Sequence, residues 1–489
     1  MMFSGASTAN PLLGTWASWL QEHSWIIPQE AQTIAARAEW LGCNDPFCVA
    51  LYAARKQLTF GATGLHFVSQ YDDAPEEKTT SDECKAIRRR ATAICNATWT
   101  GKELDAENAR SRKELEEAID WAAFHHGDGF AIRVYKGRSV WRLIHRDRIA
   151  NPPNLSNGQF IRDGFQLFDG AIVGVWVWPP ANPLATSATR APTYVPWQSE
   201  DGTPNVIHKV GMRLPGMLRG VSELAPMIVL QRQIGGVLES HVAAKRLQAI
   251  MAMIQEAEDP EAYKKACEDG SALTPEAVMN IQGPLNVWIV PPGTKTTLTD
   301  TKFNGADLKD FLIICYKVEC AVLQISVDVV LCQMGEASFS SGKASLDQAE
   351  RTGQTLQNNH IEAVSRPIDQ AILFDAITDG KLTVPDATPR VVMAGEYSRP
   401  PKFSMDRKKD AETVQAYIDA GFSETFAFAS IGQNWEDHQE QKKEEAAFRK
   451  AQGIDVAQPE PAPAADQNAT PAPKKKSFIG KIFGKKAAA

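Results

Sequence analysis

Six apolar positions, Leu308, Phe311, Cys315, Val318, Val322 and Ile325, recur at intervals of 3-4-3-4-3 within "DLKDFLIICYKVECAVLQISVDVV". That alternation predicts a helix over about 306–327 with a narrow seam suited to neighbouring helices. A second long helix is predicted upstream in "ELAPMIVLQRQIGGVLESHVAAKRLQAIMAMIQ", with Ser222 as its N-cap and Pro226 in the tolerated first turn. Between the two, 258–302 reads as a short polar helix and a strand, "NVWIVPPGTKTTLTD", with a Pro-Pro-Gly turn. After a break at 328–342, a third long helix is predicted through about 376, then "RVVMAG" as a strand.

The flanks fill in the class. Residues 12–125 read mostly as helix, and "SRKELEEAIDWAAFHH" carries Ser111 and Glu114 at capping-box spacing. From 128 the period changes to two: "FAIRVYKGRSVWRLI" and "FIRDGFQLFDGAIVGVWVW" predict strands, the latter with Asp-Gly turns at 163–164 and 169–170. "VIHKV" (206–210) is placed to close this small antiparallel sheet. Residues 406–452 read as three short helices around Gly421 and Gly432, with Ser423 and Asn434 as candidate N-caps. The expected fold class is therefore α+β, mainly α.

Composition narrows the function classes. At 489 residues two or three domains are expected, and 43% hydrophobic with 23% charged residues suits a water-soluble chain. A net charge of −7 argues against a protein that coats nucleic acid, which should be basic. It is compatible with DNA passing close by. The eight cysteines form no CxxC pair, so reduced thiols are expected. The N-terminus lacks a basic region before an apolar run, and no uncharged apolar stretch is long enough to span a bilayer, so neither a secretory signal nor a membrane span is expected. Beyond Gly453 the sequence turns to Ala, Pro, Gln and Asp and ends in "PAPKKKSFIGKIFGKK", a composition that predicts disorder. Its six lysines and helically spaced Phe478, Ile479, Ile482 and Phe483 suit a membrane surface, an acidic partner or simple solubility.

No catalytic constellation emerges. "FSSGKAS" (339–345) resembles the end of a phosphate-binding loop, but six residues rather than four separate Gly335 from Gly342, and Ala344 stands where a hydroxyl should hold magnesium. "HRDRIAN" (145–151) has its asparagine one place too early for a kinase catalytic loop. "HHGDG" (125–129) could supply metal ligands, yet it reads better as a helix end turning into a strand. "CNDPFC" reads as two packed thiols, and "KAIRRR" (85–90) as a solvated helix face. No enzyme activity, cofactor or metal is expected.

One resemblance organises these features. "LPGMLRGVSELAP" (214–226) is similar to the Pro-Gly-x-x-Arg-Gly-x-x-x-Leu-Ala-Pro stretch of the lambda-type portal proteins of tailed bacteriophages, and it follows a "VIHKV"-like strand as it does there. "NDPFCVALYAARKQLTFGATGLHF" resembles the family's early helix and Val-Gly turn, here altered to Ala62-Thr63-Gly64. "DLKDFLIICYKVECAVLQISVDVVL" resembles the helix before its loop, and "SFSSGKASLDQAER" its Tyr-Ser-Ser-x-Arg-Ala pattern, with Phe339 for tyrosine and Lys343 for arginine. "DRKKDAETVQAYIDAGFSETFAFASIGQNWEDHQEQKKEEAAFRKAQGI" resembles its C-terminal helical block. The likeness covers roughly 40–453.

The resemblance implies a portal fold assembling as a ring, typically a dodecamer, at one capsid vertex of the virion, built in the host cytoplasm. Residues 1–216 would be the wing, 217–250 the first stem helix, 251–305 the clip and 306–327 the second stem helix. Residues 328–344 would be the tunnel loop, 345–405 the tunnel helix and a returning wing strand, 406–452 the crown, and 453–489 a basic-ended tail. Implied partners are other copies of the chain, double-stranded DNA in the channel, the large terminase, capsid and scaffold proteins, and neck or tail adaptors. In that setting Gln333, Ser338, Ser340, Ser341 and Lys343 are the DNA-contact candidates. Gly335 and Gly342 would be the loop hinges, and the 308–325 seam would pack the stem. Short hydroxyls and one lysine would make light, sequence-blind contacts with phosphate. The alternatives are another phage neck or tail ring component, or a metal-dependent hydrolase using His125, His126 and Asp128.

Overall fold

The computed structural model describes residues 28–72, 82–180, 191–250, 254–256, 261, 264–265, 268–270, 288–290, 305–333, 339–385, 394–400, 407–430 and 435–452. Helix and strand are mixed, helix predominating. The chain divides into two units, 1–412 and 413–489.

The first unit opens with α1 (Pro28–Asn44) and α2 (Pro46–Phe60). Asp45 separates them and caps α2, its carboxylate accepting from the Cys48 amide at 2.9 Å, while Pro46 takes the first helical position, where a missing N–H costs nothing. Strand β1 (His66–Ser69) and α3 (Asp82–Ala97) follow. Helix α4 (Arg112–His126) starts at the Ser111–Glu114 capping box that the spacing predicts. It stops at Gly127, which is left-handed (φ 89°) and lies so near Gly220 that an added Cβ would sit 2.5 Å from that residue's carbonyl oxygen. Glycine is required there on both counts.

The chain then becomes sheet. β2 (Asp128–Tyr135) pairs antiparallel with β3 (Ser139–Ile144) on one side and with β8 (Val206–Val210), the "VIHKV" strand, on the other. A second antiparallel sheet orders β4 (Ile161–Arg162), β5 (Phe165–Phe168), β6 (Ala171–Val177) and β7 (Thr193–Pro196) in sequence. Both Asp-Gly pairs turn with positive φ, as hairpins of this type demand. The sheets share a core of Phe130, Ile144, Phe165 and Val175. A second core gathers Leu115, Ile119, Trp141, Ile368 and Leu373, and a third Phe47, Leu51, Phe124, Cys320 and Ile325.

Helix α5 (Ile228–Ile250) begins later than expected. Ser222 does not cap it. The hydroxyl instead accepts from the Leu224 amide at 3.1 Å and donates to the Phe124 carbonyl at 2.9 Å, tying the approach segment to the end of α4, and a 3-10 turn (Ala225–Met227) intervenes. Strands β9 (Ile254–Glu256) and β10 (Trp288–Val290) pair in parallel. Helix α6 (Gly305–Val322) ends short of 327, because Ser326 caps a separate turn, α7 (Val327–Val330).

Helix α8 (Phe339–His360) starts at 339, not 345. Gly342, expected as a loop hinge, is instead buried inside it, a helical position that costs a glycine about 1 kcal/mol relative to alanine. The expected single helix to 376 is two: α8 passes through a π turn (Ile361–Ser365) into α9 (Arg366–Thr378). The returning strand, β11 (Gly395–Ser398), pairs antiparallel with β1; residues 390–393 of "RVVMAG" lie outside the described residues.

Helix α10 (Arg407–Asp419) carries the boundary between the units. In the second unit, Tyr417, Phe422 and Phe426 form an aromatic cluster with centroids 5.3–5.7 Å apart. Helices α11 (Glu424–Ser430) and α12 (Trp435–Gln452) are joined by a Trp435 indole donating to Glu424 at 2.6 Å. The 453–489 tail lies outside the described residues.

Candidate functional site

The residues singled out in the sequence lie on α6, on α7 and its turn, and on the first turns of α8. On α6 the predicted seam separates into two faces. Cys315 is buried, and so is Ile325, which lies beyond the helix end. Phe311, Val318 and Val322 point outward at 45%, 55% and 46% exposure, joined by Ile314 at 61%, which the 3-4 alternation passed over; Leu308 is half-buried. At 100° per residue these four exposed side chains fall within an arc of about 80°. A helix wears a continuous apolar stripe on its solvent side only where something else covers it.

The opposite face of α6 packs inward. Tyr316 stacks on Phe47 with centroids 4.1 Å apart, and Cys320 joins the α1–α2 core. Glu319 lies there too, 1% exposed, and neither carboxylate oxygen finds a hydrogen-bond partner among the described residues. Burial, with Asp45 nearby, pushes its carboxyl up to about 8. At neutral pH it is the protonated acid.

Of the DNA-contact candidates, Gln333 is exposed in the turn after α7. Ser341 and Lys343 are exposed on the first two turns of α8, so they and Ser340 stand on a helix instead of the expected loop. Ser338 and Gly335 lie outside the described residues, and Gly342, expected as a hinge, has helical neighbours on both sides. Ser345 fastens this end: its hydroxyl is 3.2 Å from that of Ser326 and 3.4 Å from the Asp328 carboxylate, bringing α8 against α7.

Sequence reading missed the feature that anchors α8 and α9, a buried band of charge. Arg112 is fully buried, holds Asp369 with two bonds of 2.6 and 2.9 Å and donates to Glu116 at 2.8 Å. Tyr397 of β11 donates to the same Asp369 at 2.9 Å. One turn along α4, Asp120 receives Lys209 of β8 at 2.5 Å and lies 3.5 Å from Arg55 of α2, which also holds Glu223. Lys209 reaches His360 Nδ1 at 2.8 Å. An ammonium only donates, so Nδ1 accepts and the proton sits on Nε2, which donates to Glu116 at 3.1 Å. Burial raises the Glu116 carboxyl, but Arg112 and His360 outweigh it and hold it at about 2. The signal was present: Arg112, Glu116 and Asp120 recur every four residues, a polar stripe inside an otherwise good core face.

The Arg219 of the Pro-Gly-x-x-Arg-Gly stretch has a similar structural task. It donates to Asp128 at 2.8 Å and to the carbonyls of Ile149, Asp163 and Arg146. Asp128 also receives His208 at 2.9 Å and the Gly220 amide at 2.8 Å. Of the three residues of the hydrolase alternative, Asp128 is thus taken up by Arg219, His208 and the Gly220 amide, and His125 Nδ1 lies 3.0 Å from the Trp121 carbonyl. Among the described residues no cluster of three or more His, Cys, Asp or Glu side chains could hold a metal, and no helix is long and apolar enough to cross a membrane.

Comparison with known proteins agrees with the family resemblance. The profile described as phage portal protein, lambda family, matches residues 10–357. No curated protein matches the chain. Similar solved structures are the neck of an empty gene transfer agent particle computed with C6 symmetry (12% identity, TM-score 0.43, covering 83% of this chain and 94% of that one) and the neck of the native particle computed with C12 symmetry (11%, 0.40, 83% and 94%). The virion of the native particle is a third (11%, 0.40, 81% and 93%). The profile spans well over half of the residues, and the family it describes is structural, not enzymatic. The chain belongs to the lambda family of phage portal proteins.

Proposed function

We propose that the chain is a portal subunit: copies close into a ring, twelve by the family's habit, at one vertex of a phage-like capsid, and double-stranded DNA passes through the central channel. The observation that carries this reading is the exposed stripe Phe311, Ile314, Val318 and Val322 on α6. Its inward face is already satisfied by α1 and α2, so the outward stripe is left for another copy. In a ring the same two surfaces meet at every junction, which a single helix face with a repeating seam can supply. Helices α5 and α6 would then form the stem, 251–305 the clip that docks the terminase and later the neck proteins, and 406–452 the crown.

DNA contact would fall to the start of α8 and the turn before it. Lys343 offers a single point charge, and Ser341 and Gln333 offer exchangeable hydrogen bonds to phosphate. Weak contact suits passage: many cations would hold the polymer through counterion release and stall it. The net charge of −7 is in keeping with that. Class averages of the purified protein down its symmetry axis test the reading; closed rings with a central hole are expected, and a monodisperse monomer at micromolar concentration would end it.

A further inference from the structure

The π turn between α8 and α9 is held at both ends by one carboxylate. Glu116 Oε2 accepts from His360 Nε2 at 3.1 Å and from the Ser365 hydroxyl at 2.8 Å, while Oε1 takes Arg112. All four side chains are buried. The spacing says why the turn exists. In an unbroken α-helix the residues in line with Ser365 are four away on each side, Ile361 and Asp369. Downstream this holds: Asp369 meets Arg112 as Ser365 meets Glu116, and Arg112 and Glu116 are themselves four apart on α4. Upstream it does not. The residue that meets Glu116 is His360, five before Ser365, and the extra residue of the π turn is what brings it there.

We propose that Glu116 is a positioning residue, a latch that sets the rotational phase of α8 against α9 by gripping His360 and Ser365 across the π turn. If those bonds are lost, the turn can relax to ordinary i→i+4 bonding, which puts Ile361 opposite the carboxylate. Residues 339–360 then rotate by about 100° and shift by about 1.5 Å relative to α9. The observed phase is held along the length of α8. Gln357 donates to the Leu58 carbonyl at 2.8 Å, Thr352 to the Gln324 carbonyl at 2.8 Å, and the Gly353 position has no room for a Cβ without pressing on Leu58 O at 3.2 Å. These contacts hold in one register or break together, as two-state elements do. Rotation re-aims Ser341 and Lys343, so the latch fixes the direction in which the start of α8 faces; its bearing on DNA rests on the function proposed above.

The test uses the assembled protein. Losing one bond to a buried charge is worth about 1.5–3 kcal/mol, so Glu116→Gln and Ser365→Ala should each speed amide hydrogen exchange over 360–366 by about 10- to 100-fold. In a single-particle reconstruction E116Q should turn α8 by about 100°. Wild-type exchange and an intact π turn in both variants would overturn the proposal. Deleting the exposed Glu362 removes the extra residue and leaves His360 four positions before Ser365. In that background E116Q should no longer change the phase of α8, and a rotation there would also overturn the latch. DNA packaging is scored separately. A turned α8 with unchanged packaging keeps the latch and removes the DNA role given to Lys343.

Discussion

Glu319 is a carboxyl placed where nothing in the described chain can solvate it. Its folded-state value is raised from 4.5 to about 8, so the sign of the pH effect follows directly. Below 4.5 the acid is protonated both folded and unfolded and costs nothing beyond its unmade hydrogen bonds. Between 4.5 and about 8 the unfolded chain ionises and the folded one does not, so stability falls as pH rises, levelling off above 8. The loss by pH 8 is on the order of a few kcal/mol, at about 1.4 kcal/mol for each unit that separates the two values. Glu319→Met should therefore raise the melting temperature clearly at pH 8 and much less at pH 5; an equal gain at both would show that packing, not ionisation, is responsible. Arg112 is the opposite case, a buried charge with every partner in place. Arg112→Ala strands Glu116 and Asp369 in the core, and a loss of about 3–5 kcal/mol is expected in denaturant unfolding. A loss under 1 kcal/mol would mean that water reaches the band.

Elements with strong local signals were legible in the sequence: the α4 capping box, the Asp-Gly hairpins, the "VIHKV" strand and the Gly127 stop all depend on neighbours a few residues away. What escaped depends on contacts distant in sequence. Gly342 and the serines around it look like a loop, yet the bonds between Ser345, Ser326 and Asp328 and the packing on α2 carry the helix back to 339. The π turn is invisible because its cause, Glu116, lies more than 240 residues upstream of both its partners. The apolar arc of α6 was legible but not which part of it is covered: alternation locates an arc, and only burial says which edge of it another element has taken. The helical start of α8 also sharpens an expectation. Lys343 is exposed on a helix surface, so Lys343→Ala should preserve fold and oligomer, since alanine is the better helix former, while lowering packaging efficiency. Wild-type packaging by a folded, assembled K343A would remove the contact.

For the whole molecule the decisive quantity is what covers the outer face of α6. Phe311, Ile314, Val318 and Val322 expose about half of each side chain in the isolated subunit. Burying such side chains is worth about 1.5–3 kcal/mol each when complete, so the stripe can contribute several kcal/mol per junction, before the cost of association. A charge placed at its most exposed member, Ile314, reverses that contribution without touching the inward face, where Tyr316, Glu319 and Cys320 pack. Ile314→Glu should therefore keep the circular dichroism and unfolding midpoint of the subunit while shifting sedimentation from ring to monomer. Lys309→Glu, on an exposed position of the same helix outside the stripe, should leave assembly unchanged. If I314E still sediments as a ring, the stem does not carry the junction, and the contact between copies must be sought on other surfaces. If both variants dissociate, net charge is responsible, because the helix would then be responding to added negative potential rather than to a lost apolar contact.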